Sequence, residues 1–235
     1  AIRGAYCFLK AKELEAGGYY PDVIISHPGW GESLFLKEVW PKAVFKVYCE
    51  FYYHTSGADV GFDKEFEGRN ALNLPRIILK NTNSLLHLDQ ADSGISPTDW
   101  QASTFPEYFR EKISVIHDGV DTDTVQPDDS ARLTLPGGKQ LTSDDEIVTY
   151  VGRSLEPYRG FHSLMRSLPE ILKRRREVLV LIIGEESISY GSEPPAGYSW
   201  KSLFLKEIRP LLTNQQYERI KFLGMVEYST FKQIL

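Results

Sequence analysis

The chain has 235 residues, enough for one large or two small domains, and its 42% hydrophobic content is sufficient for packed cores. Its formal net charge is −5, but residues 118–146 alone carry −6, so the rest of the body sums to +1 and gives no general electrostatic case for nucleic acid. Cys7 and Cys49 form neither a disulfide framework nor a metal spacing. That cysteine usage fits a reduced cytosolic setting; no signal-peptide pattern or uninterrupted apolar run of membrane-spanning length is visible, and peripheral membrane association stays open.

Residues 1–18 read as a helix ending at Gly17-Gly18, 21–26 (PDVIIS) as a short apolar strand, 27–32 (HPGWGE) as a turn, and 32–40 as a short helix. A second strand is expected over 43–53, then a polar loop at 54–68 and a helix over 69–88, with Pro75 as a kink or a first turn. A short strand at 92–95 precedes Ser96-Pro97-Thr98-Asp99. Their order is that of a capped helix start: cap residue, proline, then an acid in the first turn. Residues 113–121 read as a strand entering a loop. The acidic stretch that follows, with a hairpin-like LTLPGGKQLT at 133–142, is the best domain boundary.

Beyond it come a strand at 147–151, a helix at 161–173, a strand at 178–183, a loop at 184–199, a helix at 200–213, a strand at 220–223 and the start of a helix at 228–235. Strands alternating with helices, some apolar throughout, predict an α/β fold with a parallel sheet covered on both faces. Ligands in such sheets lie at the carboxyl ends of strands. The basic run 173–176 reads as a solvated helix end.

The most informative stretch is IVTYVGRSLEPYRGFHSLMRSLPEIL, residues 147–172. Apolar positions at 161, 164, 165, 168, 171 and 172 have helical spacing, so a strand runs into a helix through a loop holding Arg153, Arg159 and two glycines. The free N–H groups and partial positive charge of the helix start suit an anion, arginine binds oxyanions with a planar fork, and a diphosphate is the natural guest. The competing reading is a surface loop whose arginines pair with Glu156 and neighbouring acids.

The strings PDVIISHPGWGESLF, VYCEFYY, SPTDWQASTFP, ISVIHDGVDTD, VGRSLEPYRGFHSLMRSLPEI and IKFLGMVEYSTFKQIL, in that order, resemble bacterial glycosyltransferases of family 4 over nearly the whole chain. The resemblance implies GT-B architecture, two Rossmann-like domains with parallel sheets, both incomplete here. Residues 1–120 would be the latter part of the acceptor-side domain, 121–145 an acidic linker with a hairpin, and 146–235 the opening of the nucleotide-sugar donor domain. It further implies retaining transfer from a nucleotide-sugar to a glycan, lipid-linked or small-molecule acceptor, with the nucleotide-sugar as co-substrate, no further cofactor and no obligatory metal. Nucleotide-sugar epimerases share the architecture and remain the enzymatic alternative; a non-catalytic nucleotide-binding fragment is the other. Both ends look cut, and the family's paired glutamates come later in the donor domain, so these 235 residues alone are not expected to turn over.

By the same resemblance Arg153, Arg159 and Gly160 would hold the donor diphosphate. Arg159 stands where lysine is the common residue, which keeps the charge but changes the contact. Glu50 stands about where many members carry a histidine facing the sugar; it would bind sugar hydroxyls or stabilise positive charge at the anomeric carbon, against the alternative of a glutamate paired at the sheet end. His27 ends a strand where a cleft-facing side chain is expected, with Gly29 and Gly31 allowing close approach; the alternative is a histidine fixing a tight turn. Gly184, Glu185 and Tyr190 follow the apolar strand and are candidates for nucleotide or sugar contact. Trp30 is a candidate for stacking on a sugar ring, Glu32 reads as a helix start, His117 and Asp118 as structural residues, and His54 and Asp63 suggest no metal site.

Overall fold

Alternation fixes the first sheet: Phe45, Val47 and Cys49 are buried while Val44, Lys46 and Tyr48 turn the other way, the period of a strand. The computed structural model describes residues 2–58, 60–66 and 73–235, and the chain divides into two units, Ala1–Val120 and Asp121–Leu235. Parts of the expected polar loop at 54–68 and the opening of the expected helix at 69–88 lie outside the described residues.

The first unit runs α1 (Ile2–Ala16), β1 (Val23–Ser26), α2 (Leu36–Val39), β2 (Val44–Tyr48), α3 (Asn73–Lys80), α4 (Thr82–Gln90), β3 (Ser93–Ser96), α5 (Asp99–Thr104), α6 (Glu107–Arg110) and β4 (Ile113–Val115). Its four strands pair in parallel in the order β1-β2-β3-β4. Because each strand adds on the same side, right-handed crossovers put the intervening helices on one face. Ile24, Phe45, Val47 and Cys49 meet Ala11, Val39, Leu88, Phe105 and Phe109 there. Cover on both faces was expected; among the described residues Val23, Val44 and Ile25 on the other face are exposed, Ile25 by 65%.

Two local expectations are corrected by side chains acting at a distance, and two more elements of this unit prove shorter than expected. The expected 69–88 helix is two helices, because Asn81 turns its amide onto the backbone of Tyr53, donating to its carbonyl at 2.8 Å and accepting from its N–H at 2.9 Å. The cap of α5 is Thr98, whose hydroxyl accepts from the Gln101 N–H at 3.2 Å, and not Ser96, which ends β3 buried and donates to the Cys49 carbonyl at 2.8 Å. The strand expected over 43–53 stops at Tyr48, after which the backbone leaves the ladder. The helix expected at 32–40 shortens to α2, and the strand entering a loop at 113–121 is β4 followed by that loop.

The second unit contains the antiparallel hairpin β5 (Leu133–Thr134) and β6 (Gln140–Leu141), then β7 (Ile147–Ser154), a 3₁₀ turn at Pro157–Arg159, α7 (Phe161–Arg174), β8 (Leu179–Glu185), α8 (Trp200–Ile208), α9 (Asn214–Tyr217), β9 (Ile220–Gly224) and α10 (Tyr228–Ile234). The parallel sheet is ordered β7-β8-β9, so the central β8 is buried from Leu179 to Gly184. Leu133, Leu135 and Leu141 of the hairpin region pack with Leu179, Leu181, Ile183 and Ile234. The stretch read as an acidic linker thus carries leucines of this core. Helix α7 buries Phe161, Met165, Leu168 and Leu172 and packs against α8, which ends at Ile208 and not at 213. Arg219 closes the other end of α7, donating to the carbonyls of Leu172 and Arg175, each at 2.6 Å.

A buried polar chain holds the loop after β1. His87 of α4 donates from Nδ1 to the Asn83 carbonyl at 2.6 Å, so Nε2 accepts from the Ser33 hydroxyl at 2.8 Å, and Ser33 in turn meets Ser26. Burial lowers the pKa of His87 below its ordinary 6.5. The unfolded chain takes up that proton more readily, so this contribution is fully present above 6.5 and is lost as pH falls through the lowered value. Urea unfolding should show stability declining as pH drops from about 7 to about 5.5, with the slope reduced in His87→Gln. Burial also pushes the Cys49 thiol up to about 12, while Cys7 is half-buried. A disulfide reagent should therefore modify Cys7 in native protein and reach Cys49 only after denaturation.

Candidate functional site

Two constellations occupy carboxyl ends of parallel strands, one in each unit. In the first, His27 follows β1 and Glu50 lies two residues beyond the neighbouring β2. Parallel pairing of Ser26 with Val47 brings the two strand ends side by side. His27 Nε2 stands 2.8 Å from Glu50 Oε2. The Gly29 N–H donates to Nδ1 at 3.1 Å, which leaves the ring proton on Nε2, directed at the carboxylate. Both side chains remain open to solvent, 47% and 58% exposed. A Cβ at residue 29 would come within 2.9 Å of the imidazole, so glycine lets the His27 ring lie against this turn, while Gly31 adopts φ +77°. Helix α4 fixes the loop from behind: Asn83 donates to the Gly29 carbonyl at 3.2 Å, and His87 holds Ser33.

Tyr48 extends this cluster. Its ring lies 5.9 Å from that of His27, and its hydroxyl donates to Asp118 Oδ1 at 2.6 Å. The Asp118 hydrogen bond, then desolvation, push the phenol up to about 12, so it stays a donor. His117 repeats the turn of His27, with the Gly119 N–H donating to its Nδ1 at 3.0 Å. Trp30 lies under the Arg3 guanidinium at 5.1 Å, and Glu32 pairs with Arg3 at 3.0 Å in a turn and does not start a helix.

In the second constellation β7 runs three residues further than expected, with a register shift between Val151 and Ser154, so Arg153 lies on the strand end. Arg153 is exposed, and no hydrogen bond or ion pair engages its guanidinium among the described residues. Arg159 is also exposed, closes the 3₁₀ turn and lies over the Tyr190 ring at 5.4 Å. Gly160 takes the left-handed conformation (φ +74°) and is the N-cap of the 14-residue α7, with no side chain capping it.

The competing reading paired the arginines with Glu156 and neighbouring acids; Glu156 itself is engaged elsewhere. Glu156 has 0% exposure. Oε2 accepts from the N–H groups of Ser189 and Gly191 at 3.2 and 3.1 Å, and Oε1 from the Ser189 hydroxyl at 2.5 Å and the Tyr190 N–H at 3.4 Å. The carboxylate ties the loop after β8 to the arginine loop and sets Tyr190 over Arg159. Tyr190 is 65% exposed, with its ring 6.3 Å from that of Tyr158. Gly184 lies in β8, where a Cβ would come within 2.4 Å of the Gly152 carbonyl oxygen. Glu185 is exposed at the end of the same strand. Sequence reasoning had cast Glu156 only as an ion-pair partner; the available signal was a glutamate between Leu155 and Pro157, both buried. Among the described residues, no group of three or more His, Cys, Asp and Glu could hold a metal ion, and no helix is long and apolar enough to cross a membrane.

The family model described as "Glycosyl transferase family 4 group" matches residues 1–125. A D-inositol 3-phosphate glycosyltransferase from Segniliparus rotundus is 28% identical over 101 residues, 42% of this chain and 22% of that protein. Among solved structures, the GtfA/B complex aligns with a TM-score of 0.50 and 14% identity over 94% of this chain and 38% of that one. A putative UDP-N-acetylglucosamine 2-epimerase from Listeria monocytogenes aligns at 0.46 and 10% over 98% and 54%. The chain thus spans about a fifth to about a half of the proteins it matches. Its α/β fold, two Rossmann-like units with parallel sheets, is of the GT-B type. With more than half of its length matched, the chain belongs to the glycosyl transferase family 4 group.

Proposed function

We propose that this chain is part of a retaining glycosyltransferase that moves a sugar from a nucleotide-diphosphate sugar to a glycan, lipid-linked or small-molecule acceptor. The observation that carries the reading is the pair of exposed guanidiniums, Arg153 and Arg159, at the uncapped start of α7, with the adjacent Glu156 fully engaged elsewhere. As the anomeric C–O bond to the diphosphate breaks, negative charge collects on the departing oxygen. Two cations and a helix N-terminus stabilise that charge. The acceptor hydroxyl attacks from the same face and passes its proton to the departing phosphate oxygen. The reading assigns no obligatory metal, because the cationic loop supplies the compensating charge. Residues 1–120 serve the acceptor side, where Glu50, oriented by His27, binds sugar hydroxyls or stabilises positive charge at the anomeric carbon.

In calorimetry with UDP and GDP, Arg153→Ala and Arg159→Ala should each weaken nucleoside-diphosphate affinity roughly 10-fold or more, the loss of a hydrogen bond to a charged group. Unchanged affinity in both variants would contradict the assignment. Glu156 acts in this site as a positioning residue. In Glu156→Gln one acceptor oxygen becomes a donor facing backbone N–H groups. The amides of Ser189, Tyr190 and Gly191 should then lose hydrogen-exchange protection by about tenfold or more. The same variant should lose affinity for UDP while its affinity for inorganic pyrophosphate changes little, since Tyr190 is displaced and Arg153 is not.

A further inference from the structure

After β2 the chain runs through residues 50–54 without regular secondary structure, yet side chains hold it along almost its whole length. Gln101 donates to the Glu50 carbonyl at 2.9 Å. The Tyr52 N–H donates to the Thr104 hydroxyl at 3.1 Å. Asn81, 5% exposed, pairs both the N–H and the carbonyl of Tyr53, at 2.9 and 2.8 Å. His54 Nε2 stands 2.7 Å from the Thr104 carbonyl. Five hydrogen bonds from one helix, α5, and a helix break thus fix this short stretch, which is preorganisation beyond what joining two elements requires.

What this backbone presents is an aromatic surface beside a carboxylate. Tyr52 turns inward against Phe105, at 5.7 Å. Phe51 stacks on Trp100 with ring centroids 5.6 Å apart and planes at 28°, and meets the edge of Tyr53 at 5.4 Å. Trp100 keeps 59% of its surface exposed although one face rests on Phe51. Glu50, the residue before Phe51, carries the open carboxylate bonded to His27, and Gln101, the residue after Trp100, is tied to Glu50's own backbone. The Gln101 hydrogen bond therefore ties the backbone that carries the Glu50 carboxylate to the helix that carries the exposed Trp100 indole.

We infer that Trp100, supported by Phe51, is the stacking platform of a subsite for a hexopyranose ring of a carbohydrate acceptor, with Glu50 accepting from its hydroxyls. A pyranose has an apolar C–H face and a rim of hydroxyls. The negative face of an aromatic ring attracts polarised C–H groups, and a carboxylate accepts from hydroxyls, so one ring satisfies both halves of this surface. The inference rests on assigning the first unit to the acceptor side, and it narrows the acceptor classes to carbohydrate.

Saturation-transfer NMR on the protein with methyl α-D-glucopyranoside and methyl α-D-mannopyranoside, and with sorbitol as an acyclic control, tests it. Transfer to ring C–H protons of at least one glycoside and not to sorbitol is expected. It should fall about fivefold or more in Trp100→Ala and in Phe51→Ala, and recover largely in Trp100→Phe. Glu50→Gln should weaken binding while leaving the pattern of C–H transfer intact. Absence of transfer from both glycosides, or transfer unchanged in Trp100→Ala, would overturn the subsite. Calorimetry with UDP on the same samples separates the two readings. UDP binding without glycoside contact overturns the platform alone, whereas glycoside contact without UDP binding overturns the donor site and leaves the platform standing.

Discussion

A parallel strand has no hairpin partner waiting at its carboxyl end. The backbone leaving it must find hydrogen bonds from elsewhere or remain with water. In this chain polar side chains meet that demand at three places. Asn83 and the Ser33–His87 pair hold the turn after β1, Gln101, Thr104 and Asn81 hold the stretch after β2, and Glu156 holds the loop after β8. Each anchor is remote in sequence from the backbone it holds. The irregular segments at the strand ends, where ligands of such sheets bind, are therefore built as firmly as the helices beside them.

The electrostatics of the arginine loop follow from one of these anchors. A buried carboxylate is tolerated only when its lone pairs are filled, and Glu156 fills them with three backbone N–H groups and a hydroxyl. By accepting from neutral donors it leaves the guanidiniums of Arg153 and Arg159 without a direct ion pair to Glu156, so their hydrogen-bond donors stay open to an anion. The same contacts bring Tyr190 over Arg159, so one side chain accounts for both the open donors and the aromatic surface of the site.

What the sequence made legible was what short-range periodicity encodes. The apolar spacing of α7, the all-buried run of β8 and the alternation in β2 identify a parallel α/β chain, and Arg159 and Gly160 stand between strand and helix as expected, whereas Arg153 belongs to the longer β7 and not to the loop. His27 and Glu50 were singled out for separate reasons, and the structure bonds them to each other at 2.8 Å. Illegible were features decided by a distant partner. The helix break at Asn81 depends on Tyr53, the shift of the cap to Thr98 on Cys49 claiming Ser96, and the role of Glu156 on a loop some thirty residues away. Local propensity at these residues is ambiguous, since Asn and Ser serve caps and turns alike and Glu serves ion pairs and hydrogen bonds to backbone N–H groups. Only the fold selects among those uses.

The two histidine turns show the same selection acting on chemistry. His27 and His117 each follow a strand of the first sheet, each precedes a glycine by two residues, and each accepts that glycine's N–H on Nδ1. Locally they are equivalent, and both direct Nε2 away from their own turn. The difference lies in the adjacent strand. Next to β1, β2 carries on into Glu50, whose carboxylate has no backbone to hold and meets the imidazole. Next to β4, β3 carries on into Ser96 and Thr98, whose hydroxyls are committed to the Cys49 carbonyl and to the cap of α5. An exposed pair such as His27–Glu50 contributes little to stability. Its geometry is instead imposed by the turn and by strand pairing, which leaves the carboxylate's remaining lone pairs open to a ligand. At the end of a parallel sheet, then, the reactivity of a residue is set less by its own turn than by what the neighbouring strand has left unspent.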